Sequence, residues 1–177
     1  MSVETITLGG GCFWCLEAIY QLVVGVLKVE SGYAGGHTLN PNYDMVCAGE
    51  TGHAEVVQIQ FDTKQISCHE ILEIFFVMHD PTTLNQQGND RGTQYRSVIF
   101  THTEEQKVLA QHVIDEMANV WDAPIVTQIS PLENYYRAEA YHQDYFNQHT
   151  NQGYCTLVVA PKLAHFREAF AHKMRHE

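Results

Sequence analysis

The chain has 177 residues, of which 45% are hydrophobic, 11% aromatic and 18% charged. That is enough apolar material for one folded domain of ordinary size, about 150 residues, and it excludes a disordered chain. Ten Lys and Arg against 21 Asp and Glu leave a net charge of −11, which argues against general binding to nucleic acid or anionic membranes.

No stretch approaches the ~20 apolar residues of a spanning helix. The opening MSVETITLGGGC lacks the basic start and apolar run of a secretory signal. The cytoplasm is therefore the expected compartment. The five cysteines, Cys12, Cys15, Cys47, Cys68 and Cys155, are an odd number without an export signal, so free thiols are expected rather than a disulfide framework.

In chain order, Glu4 to Leu8 reads as a strand running into three glycines, Gly9 to Gly11. A helix then starts near Cys12 and carries Phe13, Leu16, Ile19, Tyr20 and Val23 at helical spacing. Val26 to Tyr33 reads as a second strand, and 34–52 as a long loop of the kind that is functional or mobile. The run from His53 to Phe61 alternates as a third strand, with Val57, Ile59 and Phe61 on one face. Ser67 and Glu70 form a capping box for a helix through Met78, apolar almost all round and so expected to be buried.

A polar loop, 79–93, leads to a strand around Tyr95 to Thr101. Thr103 and Gln106 form a second capping box, and Leu109, Val113, Met117 and Val120 trace one helical face. A strand near 124–129, a helix across 135–149 and a last helix from Lys162 complete the reading. The order βαββαβ up to Thr101 predicts an α/β (α+β) fold, a two-layer ferredoxin-like plait with C-terminal helical additions.

Cys12 follows three glycines and opens a helix, where unpaired backbone N–H groups and the macrodipole favour a thiolate. The alternative is a buried cysteine in a tight strand-to-helix turn. Cys12 and Cys15 also form a C-x-x-C pair, but the other cysteines are isolated, so a structural zinc site is not expected. His53-Ala54-Glu55 matches the H-x-E of zinc deaminases without the downstream P-C-x-x-C. His165, His172 and His176 fall together on the last helix and read as a solvated face. The polar stretches 85–97 and 41–55 lie in or beside long loops, where binding groups concentrate.

Taken together, GGCFW (10–14), SGYAGG (31–36), NPNY (40–43), GHAE (52–55), HDPTT (79–83), GNDRGTQYRS (88–97) and YHQDY (141–145) resemble the methionine sulfoxide reductase A family. Such enzymes reduce one epimer of methionine sulfoxide. The resemblance implies a single domain over residues 1–177 that repairs oxidised proteins and free methionine sulfoxide of the S epimer. It implies Cys12 as the nucleophile on the sulfoxide sulfur, and Phe13 and Trp14 as the wall for the substrate methyl group. Glu55 is implied as general acid, helped by hydrogen bonds from Tyr43 and Tyr95, with Asp90 anchoring the substrate's N–H end.

The sulfenic acid left on Cys12 condenses with a second thiol. Cys155 is favoured for this step, reached through a flexible Asn151-Gln152-Gly153 approach, with Cys15 as the alternative. Thioredoxin is the implied reductant and partner. A monomer with no metal or organic cofactor is expected. Glu55 is expected to keep its proton while the helix terminus holds Cys12 as thiolate. The rival classes are a metal-dependent enzyme built on His53, Glu55 and cysteines, and a module that binds oxidised methionine without turnover.

Overall fold

The computed structural model describes residues 2–174. Its elements are β1 (Val3–Gly9), α1 (Phe13–Tyr20), β2 (Val26–Ala34), α2 (Tyr43–Cys47), β3 (Ala54–Asp62) and α3 (Cys68–Met78). They continue with a small hairpin, β4 (Gln86–Gln87) and β5 (Asp90–Arg91), then β6 (Val98–Thr101) and α4 (Glu104–Met117). β7 (Gln128–Pro131), β8 (Tyr135–Arg137), α5 (Tyr145–Gln148) and α6 (Ala160–Phe170) follow, and a π-helical turn, Cys155–Val159, leads into α6.

The main sheet has the order β7-β6-β1-β3-β2-β8. Its inner four strands, β6-β1-β3-β2, are antiparallel throughout, and each α-helical crossover joins strands with one other strand between them. That is the split βαβ plait expected from the element order. The addition on one edge is β7, parallel to β6; on the other it is β8, antiparallel to β2.

Strand alternation sorts the sheet into two faces. Ile6, Leu8, Val57, Ile59 and Phe61 point to the helix layer and join Leu16, Ile19, Ile71, Phe75 and Phe166 in the main core. Ala34, Ala54, Val56, Val98 and Phe100 form a smaller cluster on the opposite face, covered by Leu132 and Tyr135. Glu55 shares the odd parity of Val57, so its carboxylate is directed into the helix layer and is 1% exposed. This position, decided by the period of the strand, puts an acid beneath the start of α1.

The capping box at Ser67 and Glu70 is complete, and α3 buries seven of its eleven residues. At α4 the Thr103 side chain accepts from Gln106 N–H, while the Gln106 amide turns to His102 N–H. Four expectations differ from the structure. The helix expected over 135–149 is instead the edge strand β8, a one-turn 3-10 segment and the four-residue α5. Tyr135 lies over Gly32, and its hydroxyl donates to Glu30 at 2.7 Å, so pairing with the free edge of β2 overrides local helical preference.

Helix α4 ends at Met117, leaving Val120 62% exposed. The strand expected at 124–129 lies at Gln128–Pro131, where it can pair with β6. The helical run begins at Gly153, well before Lys162, so Cys155 is in helical structure rather than at the end of a flexible loop. His165 and His172 are exposed, as expected of a solvated face; His176 lies outside the described residues.

Candidate active site

The site is built where β1 gives way to α1. Gly11 adopts φ +90°, a conformation that L side chains rarely take, and a Cβ there would lie 2.7 Å from Gln87 Cγ. Gly11 N–H donates to Tyr95 C=O at 3.2 Å, tying this turn to the segment before β6. Cys12 then occupies the N-cap of α1 and is 8% exposed. Burial pushes its thiol well above the ordinary cysteine range, followed by the nearby Glu55 and Cys15; the Trp14 N–H directed at the sulfur opposes them. Here the helix N-terminus is outweighed by desolvation, so the expected resting thiolate gives way to a thiol.

Glu55 Oε1 accepts from Phe13 N–H at 3.2 Å, while Oε2 is buried without a hydrogen-bond partner. Burial pushes this carboxyl up to about 8, with Asp90 adding to the rise and the Phe13 N–H and Cys12 thiol opposing it. At neutral pH it carries a proton. A buried carboxylic acid beside a thiol is a proton source next to a nucleophile, and the two groups titrate as a unit.

Aromatic rings close the site. Phe13 is fully buried, 5.7 Å from Tyr33 and 5.2 Å from His142 between ring centroids. Trp14 stacks on Tyr145 at 3.7 Å, and its indole N–H donates to His142 Nδ1 at 3.1 Å. Tyr43 lies 4.3 Å from the His142 ring. Its N–H donates to Glu139 Oε2 at 2.9 Å, and Glu139 also accepts from the Tyr33 hydroxyl at 2.8 Å. Burial raises the Glu139 carboxyl, but these donors outweigh it and the net shift is downward.

His142, Glu139, Tyr145 and Tyr33 were not singled out by their residue chemistry. The YHQDY string was the available signal for two of them, although its spacing alone assigns no contact. His53, by contrast, is a strut. Its Nδ1 accepts from Gly36 N–H at 3.0 Å and its Nε2 bonds Thr38 C=O at 2.7 Å, fastening the loop that carries Tyr43. Both ring nitrogens are thus engaged by backbone, which removes His53 as a ligand beside Glu55.

Tyr43 and Tyr95 are half-buried, and burial together with Glu55 raises both phenols above their usual range, so each stays a donor. The Tyr43 hydroxyl interacts with Cys47, and Glu55 Oε2 is left without a hydrogen-bond partner. Asp90 Oδ2 accepts from the Tyr154 hydroxyl at 2.6 Å.

All five cysteines are free thiols. Cys15 is 2% exposed, one turn beyond Cys12, and burial pushes it up to about 11. Cys155 is fully buried and close enough to Cys15 to contribute to that shift. Cys47 is exposed, and Cys68 is the buried first residue of α3. Among the described residues no three His, Cys, Asp or Glu side chains are grouped to hold a metal ion, and no helix is long and apolar enough to cross a membrane.

A sequence profile described as "Peptide methionine sulfoxide reductase" matches residues 4–174. The protein named Peptide methionine sulfoxide reductase MsrA in Polynucleobacter asymbioticus is 59% identical over 171 residues, covering 96% of this chain and 90% of that one. Mxr1 from Saccharomyces cerevisiae in reduced form aligns with TM-score 0.80 at 37% identity, over 87% of this chain and 90% of its own. Mxr1 in complex with Trx2 aligns with TM-score 0.57 at 28% identity, over 81% and 85% of the two chains. With the profile spanning nearly all described residues and the plait shared, the chain belongs to the peptide methionine sulfoxide reductase family.

Proposed function

We propose that this chain, acting as one catalytic domain, reduces methionine-S-sulfoxide, free or within proteins, to methionine. The observation that carries the chemistry is the buried Glu55 acid, protonated beside Cys12 and with one oxygen unengaged. Cys12 Sγ attacks the sulfoxide sulfur while Glu55 protonates the oxygen, and Tyr43 and Tyr95 supply hydrogen bonds to it as it leaves the substrate. Phe13 and Trp14 select the methyl group, because an apolar ring face tolerates CH₃ better than the polar oxygen. Asp90 accepts from the substrate's N–H end.

In sum, the sulfoxide sulfur gains two electrons and Cys12 loses two. The oxygen ends on Cys12 as sulfenic acid, with the hydrogen that the thiol gave up, and methionine departs. Cys155 then condenses with the sulfenic acid, forming a disulfide and releasing water. Cys15 is the alternative thiol, favoured by its position one turn from Cys12. Thioredoxin dithiol then reduces the disulfide by exchange; the Mxr1 complex with Trx2 supports this choice of reductant.

No metal or organic cofactor takes part in any of these steps. We place the protein as a monomer in the cytoplasm, where the reducing thiol supply that the chemistry needs is found. The test is NADPH oxidation coupled through thioredoxin reductase and thioredoxin. Methionine-S-sulfoxide should drive it with the wild-type chain and not with Cys12→Ser. Equal rates from the two proteins would overturn the assignment.

A further inference from the structure

The Tyr154–Asp90 hydrogen bond occupies the group that the proposed reaction needs for its substrate. Tyr154 donates to Asp90 Oδ2 at 2.6 Å, and its ring stands edge-on to Trp14 with centroids 5.6 Å apart. It therefore spans the methyl-binding wall and the N–H anchor at once. Its hydroxyl also interacts with the Cys15 thiol. The next residue is Cys155, fully buried, with its N–H donating to Gln152 Oε1 at 3.0 Å. Cys12, which carries the reacting sulfur, is a buried residue, so the resting site offers substrate little access.

Residues Thr150 to Gly153, just before this contact, are exposed. Nothing lies within 4 Å of the Cβ position of Gly153. The turn after it, Cys155–Val159, is π-helical, a wider winding that is rare and recurs at functional sites. The segment is thus fixed at one end by α6 and, around Tyr154, by the charge-assisted bond to Asp90, the contact with Cys15 and the Cys155 and Thr156 N–H bonds to Gln152, with exposed backbone before them.

We infer that Tyr154 is a latch: the substrate's N–H displaces its hydroxyl from Asp90, and this releases the turn that buries Cys155. The inference rests on the roles proposed above for Asp90 and Cys155. Substrate needs both the Trp14 face and the Asp90 oxygen, and Tyr154 holds both. Moving its ring aside moves the adjoining residue with it. The resolving thiol is thereby kept away from Cys12 until a substrate is in place, and it is exposed in the same event that brings in the oxidant. Tyr154 is a positioning residue; it touches none of the reacting atoms.

The test follows Cys155 in the reduced protein by iodoacetamide labelling and peptide mass, with buried Cys68 as internal control. The probe is N-acetylmethionine methylamide, which carries the N–H but no sulfoxide oxygen and so cannot oxidise Cys12. Tyr154→Phe should label Cys155 roughly tenfold faster than wild type without any probe, the scale expected for losing one charge-assisted bond. Saturating probe should accelerate labelling in wild type and add little in the variant, with Cys68 unchanged throughout. The KM for N-acetylmethionine sulfoxide and that for dimethyl sulfoxide should both fall in Tyr154→Phe, since both need the Trp14 face that Tyr154 holds. A general loosening of the fold would move Cys68 labelling as well.

Equal Cys155 labelling in wild type and Tyr154→Phe overturns the latch. Methionine released by the wild-type chain in the same preparation shows that the reductase reading survives that result. Absence of methionine locates the failure in the reading itself.

Discussion

At the scale of the residue, the proposed chemistry turns on Glu55 and Cys12, whose protonation has one shared cause, burial. Desolvation holds the carboxyl at about 8 and keeps the thiol protonated, so the resting pair is a neutral acid beside a neutral nucleophile. Below about pH 8 Glu55 carries the proton that the leaving oxygen needs; as pH rises through that value it loses it. The single-turnover rate of the wild type should therefore decline above about pH 8. Glu55→Gln should cut the neutral-pH rate by about 10²-fold or more, the usual scale for a general acid. It should also abolish the declining limb, leaving a rate that rises as Cys12 ionises. Stopped methionine release across pH 6 to pH 10, about two units to either side of the Glu55 value, reads both effects; an unchanged limb in the variant contradicts the role. Trp14 is aimed by His142, which accepts its indole N–H. His142→Ala should raise the KM for methionine sulfoxide by about tenfold, the scale of one buried hydrogen bond, with a smaller change in kcat. Cys12 and the face of Glu55 were legible because a glycine-led helix start and a period of two each dictate a position. His142 was not, because its partners lie far away in the sequence.

At the scale of the element, the β1–α1 turn sets the position of the nucleophile. Gly11→Ala meets both a positive φ and the Gln87 side chain, so the turn must open. Stability should fall by about 1–3 kcal/mol, seen as a lowered denaturation midpoint. Single-turnover rate should fall more than this alone explains, because Cys12 moves relative to Glu55. Retention of full rate with lowered stability would separate the turn from the chemistry. The capping box at Ser67 and the alternation of β3 were readable locally, since each is settled within a few residues. The stretch 135–149 was not. Its tyrosines suit a strand or an amphipathic helix equally, and the choice is made by the open edge of β2 and by the place above Gly32. The early start of the last helix escaped for a related reason. Gly153 suggests a break, whereas packing of Cys155, Val159 and Leu163 into the main core holds the turns together.

At the scale of the whole molecule, the inner four strands followed from the order of elements alone, because the split βαβ arrangement leaves few ways to pair them. The edge strands β7 and β8 could not be read the same way; they are short, and each exists only against a neighbour. The proposed catalytic constellation draws on the turn after β1, on α1, α2, β3, the β5 hairpin, the turn before β6 and the chain after β8, so the resemblance of ordered blocks carried more than any single motif. The acidic chain has no grouped metal ligands among its described residues. Full turnover with thioredoxin should persist after dialysis against EDTA, measured as NADPH consumption, and a loss restored by added zinc would contradict a purely thiol mechanism.

The most direct test of thiol-based sulfoxide reduction is one turnover without added reductant, with each epimer of methionine sulfoxide offered separately. Methionine should form from the S epimer at about one per chain, the stoichiometry of a single sulfenic acid closed by a second thiol, with a Cys12–Cys155 linkage by peptide mass. A Cys12–Cys15 linkage would keep the activity and move the resolving step to α1. No methionine from either epimer, with all thiols unchanged, would contradict the account.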